Sequence, residues 1–121
     1  MAIGATLFGP AAQAADSPKT GKLLHVVNFK FKSSASQDQI DALVKAFAAL
    51  PKKIKEMKEF EWGTNVSPEK HDKGFTHCFI TTFQSAEDRD SYLVHPAHKE
   101  FGKLVGPIVE DVFVIDFWAQ E

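Results

Sequence analysis

The sequence predicts one α+β domain whose strands and helices run in the order βαββαβ. Three observations carry that prediction. The chain has 121 residues, enough for one compact domain and too few for two. Four runs rich in β-branched and aromatic residues alternate sides at period two. Two intervening segments place apolar residues at helical spacing behind a serine able to cap them. Hydrophobic residues make up 44% and charged residues 25% of the chain, the balance of a folded protein rather than a disordered one.

Taken in order, Leu23–Lys32 (LLHVVNFKFK) lacks Gly and Pro and reads as the first strand. His25, Val27, Phe29 and Phe31 share one face; Leu24, Val26, Asn28 and Lys30 share the other. Ser36 opens the first helix, with Gln39 at capping-box spacing. Ile40, Leu43, Val44, Phe47 and Leu50 form its apolar face. Pro51 ends or kinks it, ahead of the basic run from Lys52. Phe60–Val66 is the second strand, Ser67–Gly74 a polar loop, and Phe75–Phe83 the third strand. In the third strand His77, Phe79, Thr81 and Phe83 share a face, and Cys78, Ile80 and Thr82 the opposite one. Ser85 caps a second helix with Glu87 and Asp88 in its first turn, where the helix dipole favours them. A further helical segment, Ala97–Val105, follows Pro96 and stops at Gly106-Pro107. Val112–Trp118 (VFVIDFW) closes the domain as the fourth strand.

That order describes a ferredoxin-like fold, a four-stranded antiparallel sheet with helices on one face. The uncovered face would present Val26, Cys78, Ile80, Phe113, Ile115 and Phe117, a larger apolar patch than a monomer tolerates. The last strand is hydrophobic on both faces, which points the same way. A second copy of the chain is therefore expected to cover it, making a closed homodimer.

The folded part is expected to span residues 22–121. Residues 1–21 are rich in Ala, Gly and Pro, with no charge before Asp16. Ile3–Ala12 is mildly apolar, and Ala12-Gln13-Ala14 has the small-x-small form of a signal-peptidase site, although no basic start precedes it. We read this stretch as the remnant of a secretory signal, which implies a periplasmic or secreted protein. A disordered arm on a cytoplasmic protein is the alternative. The segment is too short to span a bilayer, and no membrane partner is expected.

Composition excludes other classes. The net charge of −2 and pI near 6.2 leave no basic footprint for nucleic acid or an anionic membrane surface. A single cysteine, Cys78, cannot make an internal disulfide or a cysteine-based zinc cluster. It is expected at the subunit interface, buried and inert. His71 and the basic run Lys52–Lys58 are read as solvated surface. Eleven Phe residues against one Tyr and two Trp imply a thick aromatic core, an apolar cavity or a subunit interface.

Histidines carry the chemical signal. His25 and His77 lie on the strand faces predicted to meet the helices. Tyr92 and His98 flank the end of the second helix, within reach of them. The implied site is an apolar pocket between helices and sheet with a few converging polar groups. A histidine there can exchange a proton near neutral pH, and a tyrosine can donate to a developing oxyanion. Buried histidines are also commonly satisfied core residues. A metal site built from His77, His95 and His98 is a further alternative, weakened by Pro96 between two of them and by the lack of a carboxylate in the motif.

The run Tyr92-Leu93-Val94-His95-Pro96-Ala97-His98, with Phe101-Gly102 behind it, resembles the stress-responsive A/B-barrel (Dabb) family. So do Leu24-His25-Val26-Val27 through Phe29-Lys30-Phe31-Lys32, the Trp62-Gly63 pair and Gly74-Phe75-Thr76-His77. The resemblance covers Leu23 to Trp118 and implies a dimeric α+β barrel. Through the family's polyketide-cyclase members it further implies a cofactor-free, metal-free aldol cyclisation. In that analogy His98 is the general base and Tyr92 holds the substrate carbonyl or its enolate. His25 and His77 match further active-site histidines. The ligand-binding walls would be Val27, Phe29, Phe47, Phe60, Phe79, Leu93, Phe101, Val112 and Val114. The chain departs from the cyclase pattern at Phe47 and Val109, where the cyclase carries Tyr and Trp, so pocket shape and polarity differ.

Two functional classes stay open. One is a cofactor-free lyase or cyclase, or a binder, acting on a small apolar carbonyl-bearing ligand. The other is a non-catalytic stress or stability protein whose main property is oligomerisation, since a fold does not fix a function.

Overall fold

Strand β1, Leu23–Phe31, alternates buried and half-buried residues along its length, the signature of a strand with one face on a core. It is central in a four-stranded antiparallel sheet with β2 (Glu59–Thr64), β3 (His77–Phe83) and β4 (Val109–Trp118), in the order β2-β3-β1-β4. Three helices, α1 (Gln37–Ala49), α2 (Ala86–Val94) and α3 (Pro96–Val105), occupy one face. The computed structural model describes residues 21–121. The leader or arm expected over residues 1–21 lies, apart from Gly21, outside them. This is the ferredoxin-like βαββαβ arrangement that the strand and helix order implied.

Local chemistry sets the boundaries. The Ser36 side chain accepts from the Gln39 backbone N–H at 3.1 Å, and the Gln39 side chain accepts from the Ser36 N–H at 2.9 Å, closing the capping box of α1. Pro51 does end the helix, which tightens into a 3₁₀ turn over Leu50–Lys52. The basic run that follows is not surface throughout, because Ile54 and Met57 within it are buried and anchor the connection. His71 is exposed.

Three strands start elsewhere than expected: β2 runs Glu59–Thr64 rather than Phe60–Val66, and two others shift further. β3 begins at His77, not Phe75, because Asp72 and Gly74 form a turn first. The Gly74 N–H donates to Asp72 Oδ1 at 2.7 Å, and Gly74 sits at φ +91° with Lys30 packed where a Cβ would go. β4 begins at Val109, not Val112, because a bulge at Lys30/Phe31 lets β1 extend its pairing to Val109.

The core lies between helices and sheet. Leu43 and Phe47 of α1 meet Phe29, Phe79 and Phe83 of the sheet and Phe101 of α3. Coverage by the helices stops short of β4, whose inner-face residues Val112 and Val114 remain exposed. Its outer-face residues Phe113, Ile115 and Phe117 are 51%, 49% and 46% exposed. Val26, Cys78 and Ile80 beside them are half-buried. None of the described helices is long and apolar enough to cross a membrane.

Candidate functional site

Because the helices leave β4 uncovered, a cavity of about 720 Å³ opens between β1, β4 and the helices. Its floor is His25, Val27 and Phe29 of β1 with Val112, Val114 and Asp116 of β4. Its walls are Phe47 of α1, Tyr92 and Leu93 of α2, and His98 and Phe101 of α3. Arg89 and Asp90, one turn before Tyr92, also line it. This is an open-sided, mostly apolar cavity with a few convergent polar groups, the usual character of a small-molecule site.

The break between α2 and α3 places Tyr92 and His98. His95 precedes Pro96, which pushes it out of the helical region to ψ 138° and ends α2 there. The same His95 caps α3, its Nδ1 accepting from the Ala97 N–H at 3.0 Å. His95-Pro96 is thus a hinge built by sequence, and it swings His98 back over Tyr92. The two rings lie 4.5 Å apart between centroids. His98 Nδ1 is 3.1 Å from the Leu93 carbonyl oxygen. A carbonyl only accepts, so Nδ1 carries the proton and Nε2 keeps its lone pair. Burial holds His98 below its ordinary pKa of 6.5, with His25 and His95 nearby acting in the same direction against the Leu93 bond. It is therefore a neutral base at pH 7.

Tyr92 is 1% exposed, edge-on to His25 at 5.6 Å. Burial, reinforced by Asp116, pushes its hydroxyl well above the usual tyrosine range, so it stays a proton-bearing donor. His25 sits opposite Asp116 in the β1–β4 ladder, and its Nδ1 is 2.7 Å from Asp116 Oδ1. Asp116 Oδ2 accepts from Arg89 Nη1 at 2.9 Å. Burial alone would raise the Asp116 carboxyl, but the bonds and charges of His25 and Arg89 outweigh it and hold it below its ordinary value.

Ten of the thirteen residues expected at the site from sequence line this one cavity. Phe60, His77 and Phe79 do not. Phe79 lies beneath Phe47, the rings stacked at 4.4 Å, and Phe60 packs against Phe47 from the side. His77, at the start of β3, bonds Thr76 Oγ1 at 2.9 Å and stacks on Trp62. It lines a separate groove of about 600 Å³ at the far end of the sheet, shared with the outer-face residues Cys78, Ile80 and Phe113. His77, His95 and His98 do not converge. Among the described residues no three His, Cys, Asp or Glu side chains are grouped to hold a metal ion.

Arg89 and Asp116 are the residues that sequence reasoning missed. Asp116 interrupts the apolar run VFVIDFW on the cavity-facing side of β4, and that break in alternation was the available signal.

Comparison with known proteins agrees with this architecture. The profile of the Stress responsive A/B Barrel Domain matches residues 23–119. The chain is similar to the Arabidopsis thaliana stress-response A/B barrel domain-containing protein HS1, 40% identical over 97 residues, covering 80% of this chain and 89% of that protein. It is also similar to the olivetolic acid cyclase of Cannabis sativa, 31% identical over 93 residues, 77% of this chain and 92% of the cyclase. Among solved structures it resembles the hydroxynitrile lyase of Passiflora edulis, with a TM-score of 0.79 and 34% identity over 86% of this chain and 97% of the lyase. A dimeric ferredoxin-like protein of Thermobifida fusca shares the fold at a TM-score of 0.71 and 18% identity, covering 86% and 97% of the two chains. With 97 of its residues under one profile and these relatives over most of their length, the chain belongs to the stress-responsive A/B barrel domain family.

Proposed function

We propose that the chain is a homodimer whose cavity binds a small, uncharged, carbonyl-bearing ligand and exchanges a proton with it, as a lyase or cyclase does. One observation carries this reading: His98, neutral and with Nε2 unprotonated, lies against the Tyr92 ring in an apolar cavity. A base beside a donor is the pair needed to remove a proton and stabilise the oxygen that gains charge. In an aldol cyclisation His98 takes a proton from the carbon next to a carbonyl, and Tyr92 donates to the resulting enolate oxygen. In cleavage of a hydroxynitrile, a base takes the hydroxyl proton as the carbon–carbon bond breaks and cyanide leaves. The names of the cyclase and lyase relatives support chemistry of this kind. Base and donor are both side chains of the chain, so the reaction as written calls for no cofactor. Arg89 is outnumbered at the cavity by Asp90 and Asp116, which favours a neutral ligand over an anion.

Two substrates test it. Mandelonitrile is followed by benzaldehyde release, and a linear poly-β-keto thioester by appearance of an aromatic product. Turnover of either is expected, with the acid limb of kcat/KM below pH 6.5, where His98 takes up its proton. No turnover of either, together with protein that carries no small organic mass in native mass spectrometry, overturns the reading.

A second reading, a non-catalytic stability protein defined by its assembly, is favoured by the exposed stripe Phe113, Ile115 and Phe117. Both readings need that face covered by a second copy, and neighbours of this fold are described as dimeric. Ile115→Glu, which would place charges at the centre of the covered face, is expected to convert the dimer to monomer in sedimentation velocity. A dimer unchanged by it would show that another surface joins the copies. The Ala12-Gln13-Ala14 segment supports export of the folded domain.

A further inference from the structure

We propose that Arg89 is a positioning residue of the cavity, orienting the Asp116 carboxylate so that the neutral form of His25 is held as the Nδ1–H tautomer, with Nε2 as its acceptor. Three elements meet in this arrangement. Arg89 and Tyr92 are three residues apart on α2 and so project from the same side of the helix. Asp116 and His25 face each other across β4 and β1. The Arg89 guanidinium reaches from helix to edge strand and occupies Oδ2, which leaves Oδ1 for His25. A carboxylate accepts only, so His25 Nδ1 must donate.

The other partner of Arg89 does not explain its placement. Asp90 meets Nε at 3.0 Å, but its side chain is 65% exposed, and such a pair adds little. Asp116, in contrast, is 21% exposed and carries His25 on its other oxygen. Removing Arg89 leaves that carboxylate one fixed bond instead of two, free to rotate away from the imidazole. The consequence for ligand chemistry rests on the function proposed above, since it is there that an unprotonated Nε2 beside Tyr92 would accept a proton or a hydrogen bond. The tautomer itself does not depend on that function.

The test is nitrogen-15 NMR of the full chain with labelled histidine, read without any ligand. In the wild type, with the spectra recorded at a pH where the imidazole is neutral, His25 is expected to show a protonated Nδ1 and an unprotonated Nε2. Asp116→Asn is the informative change. Arg89 needs an acceptor, so it claims the amide oxygen and turns the NH₂ group toward His25. Nδ1 must then accept, and His25 is expected to switch to the Nε2–H form, as happens when an orienting carboxylate is made an amide in other sites. In the double variant Asp116→Asn, Arg89→Met the amide is free to turn, and the Nδ1–H form is expected to return. Asp116→Asn that leaves His25 as Nδ1–H while Arg89 is present overturns the proposal. So does a double variant that stays in the Nε2–H form. Should the double variant not fold, Arg89→Met alone is read instead: the carboxylate loses its second bond, so the His25 Nδ1–H is expected to exchange faster with solvent, and an exchange rate equal to the wild type's overturns the proposal. Failure of the substrate assays leaves these spectra unaffected, so the two ideas fail separately.

Discussion

His98→Ala is expected to lower kcat/KM by about 10²–10⁴, the range for losing a positioned general base, while the dimer and the fold persist. The separation of the two effects follows from where His98 sits. Its side chain is half-buried at the start of α3 and makes one hydrogen bond, to the Leu93 carbonyl. Losing one such bond costs about 1 kcal/mol. Helix α3 keeps its cap through His95 and its anchor through buried Phe101. Stability against pH gives an independent check. The folded chain holds His98 below 6.5, so as pH falls through 6.5 the unfolded chain takes up that proton first and stability declines. His98→Ala removes this contribution and should flatten the acid side of the stability curve. A variant that unfolds or falls apart into monomers would make His98 a structural residue and remove the base from the mechanism.

How far the sequence revealed this site depends on which kind of signal each residue carries. Alternation in β1 placed His25, Val27 and Phe29 on the inner face, and all three line the cavity. Ser36 with Gln39, and His95 before Pro96, marked helix boundaries through bonding rules that depend on a few neighbouring residues. Those parts were legible because their causes are local. His77 was misleading for the same reason. Parity gave it the right face, but position along β3 puts it beside Trp62 and Thr76, one end of the sheet away from Tyr92. Phe60 and Phe79 likewise have the right parity and lie behind Phe47 rather than in front of it. Depth within a layer is set by how side chains of different elements interleave, which no period in one strand encodes. The Arg89–Asp116–His25 chain joins residues 91 apart in sequence at its extremes, through the register of two strands and one helix face. No local pattern in the sequence pairs these groups; only the fold brings them together.

The uncovered inner edge of β4 has a structural cause as well. Helices α2 and α3 are short, of nine and ten residues, and α2 lies over β1 and β3, where Tyr92 meets His25 and Phe83, rather than over the edge strand. The gap that results is the cavity. The same edge strand exposes Phe113, Ile115 and Phe117 on its other side, so a substitution in β4 acts on the pocket or on the outer face according to its parity. Val112 and Val114 belong to the first set, Phe113 and Ile115 to the second.

Phe47→Ala is expected to cost about 3–5 kcal/mol of unfolding free energy, a large share of the whole for a domain of this size. Phe47 is 1% exposed and is the meeting point of the aromatic core. Its ring stacks on Phe79 at 4.4 Å and 15°, and touches Phe101 at 4.7 Å and Phe60 at 5.3 Å. Alanine loses the transfer free energy of the ring, its aromatic pairings, and the packing of three neighbours that face the gap. Those neighbours cannot close in, because Phe79 is fixed in the centre of the sheet and Phe101 is held by α3. The void would open into the cavity beside it, since Phe47 forms its wall. Urea unfolding should therefore show a lower midpoint with an unchanged slope, because the surface exposed on unfolding hardly changes. A loss under about 1 kcal/mol would mean that the helix relaxes onto the sheet and that the stacked pair does not hold α1 in place. The cavity would then be set by something other than the wall between Phe47 and Phe79.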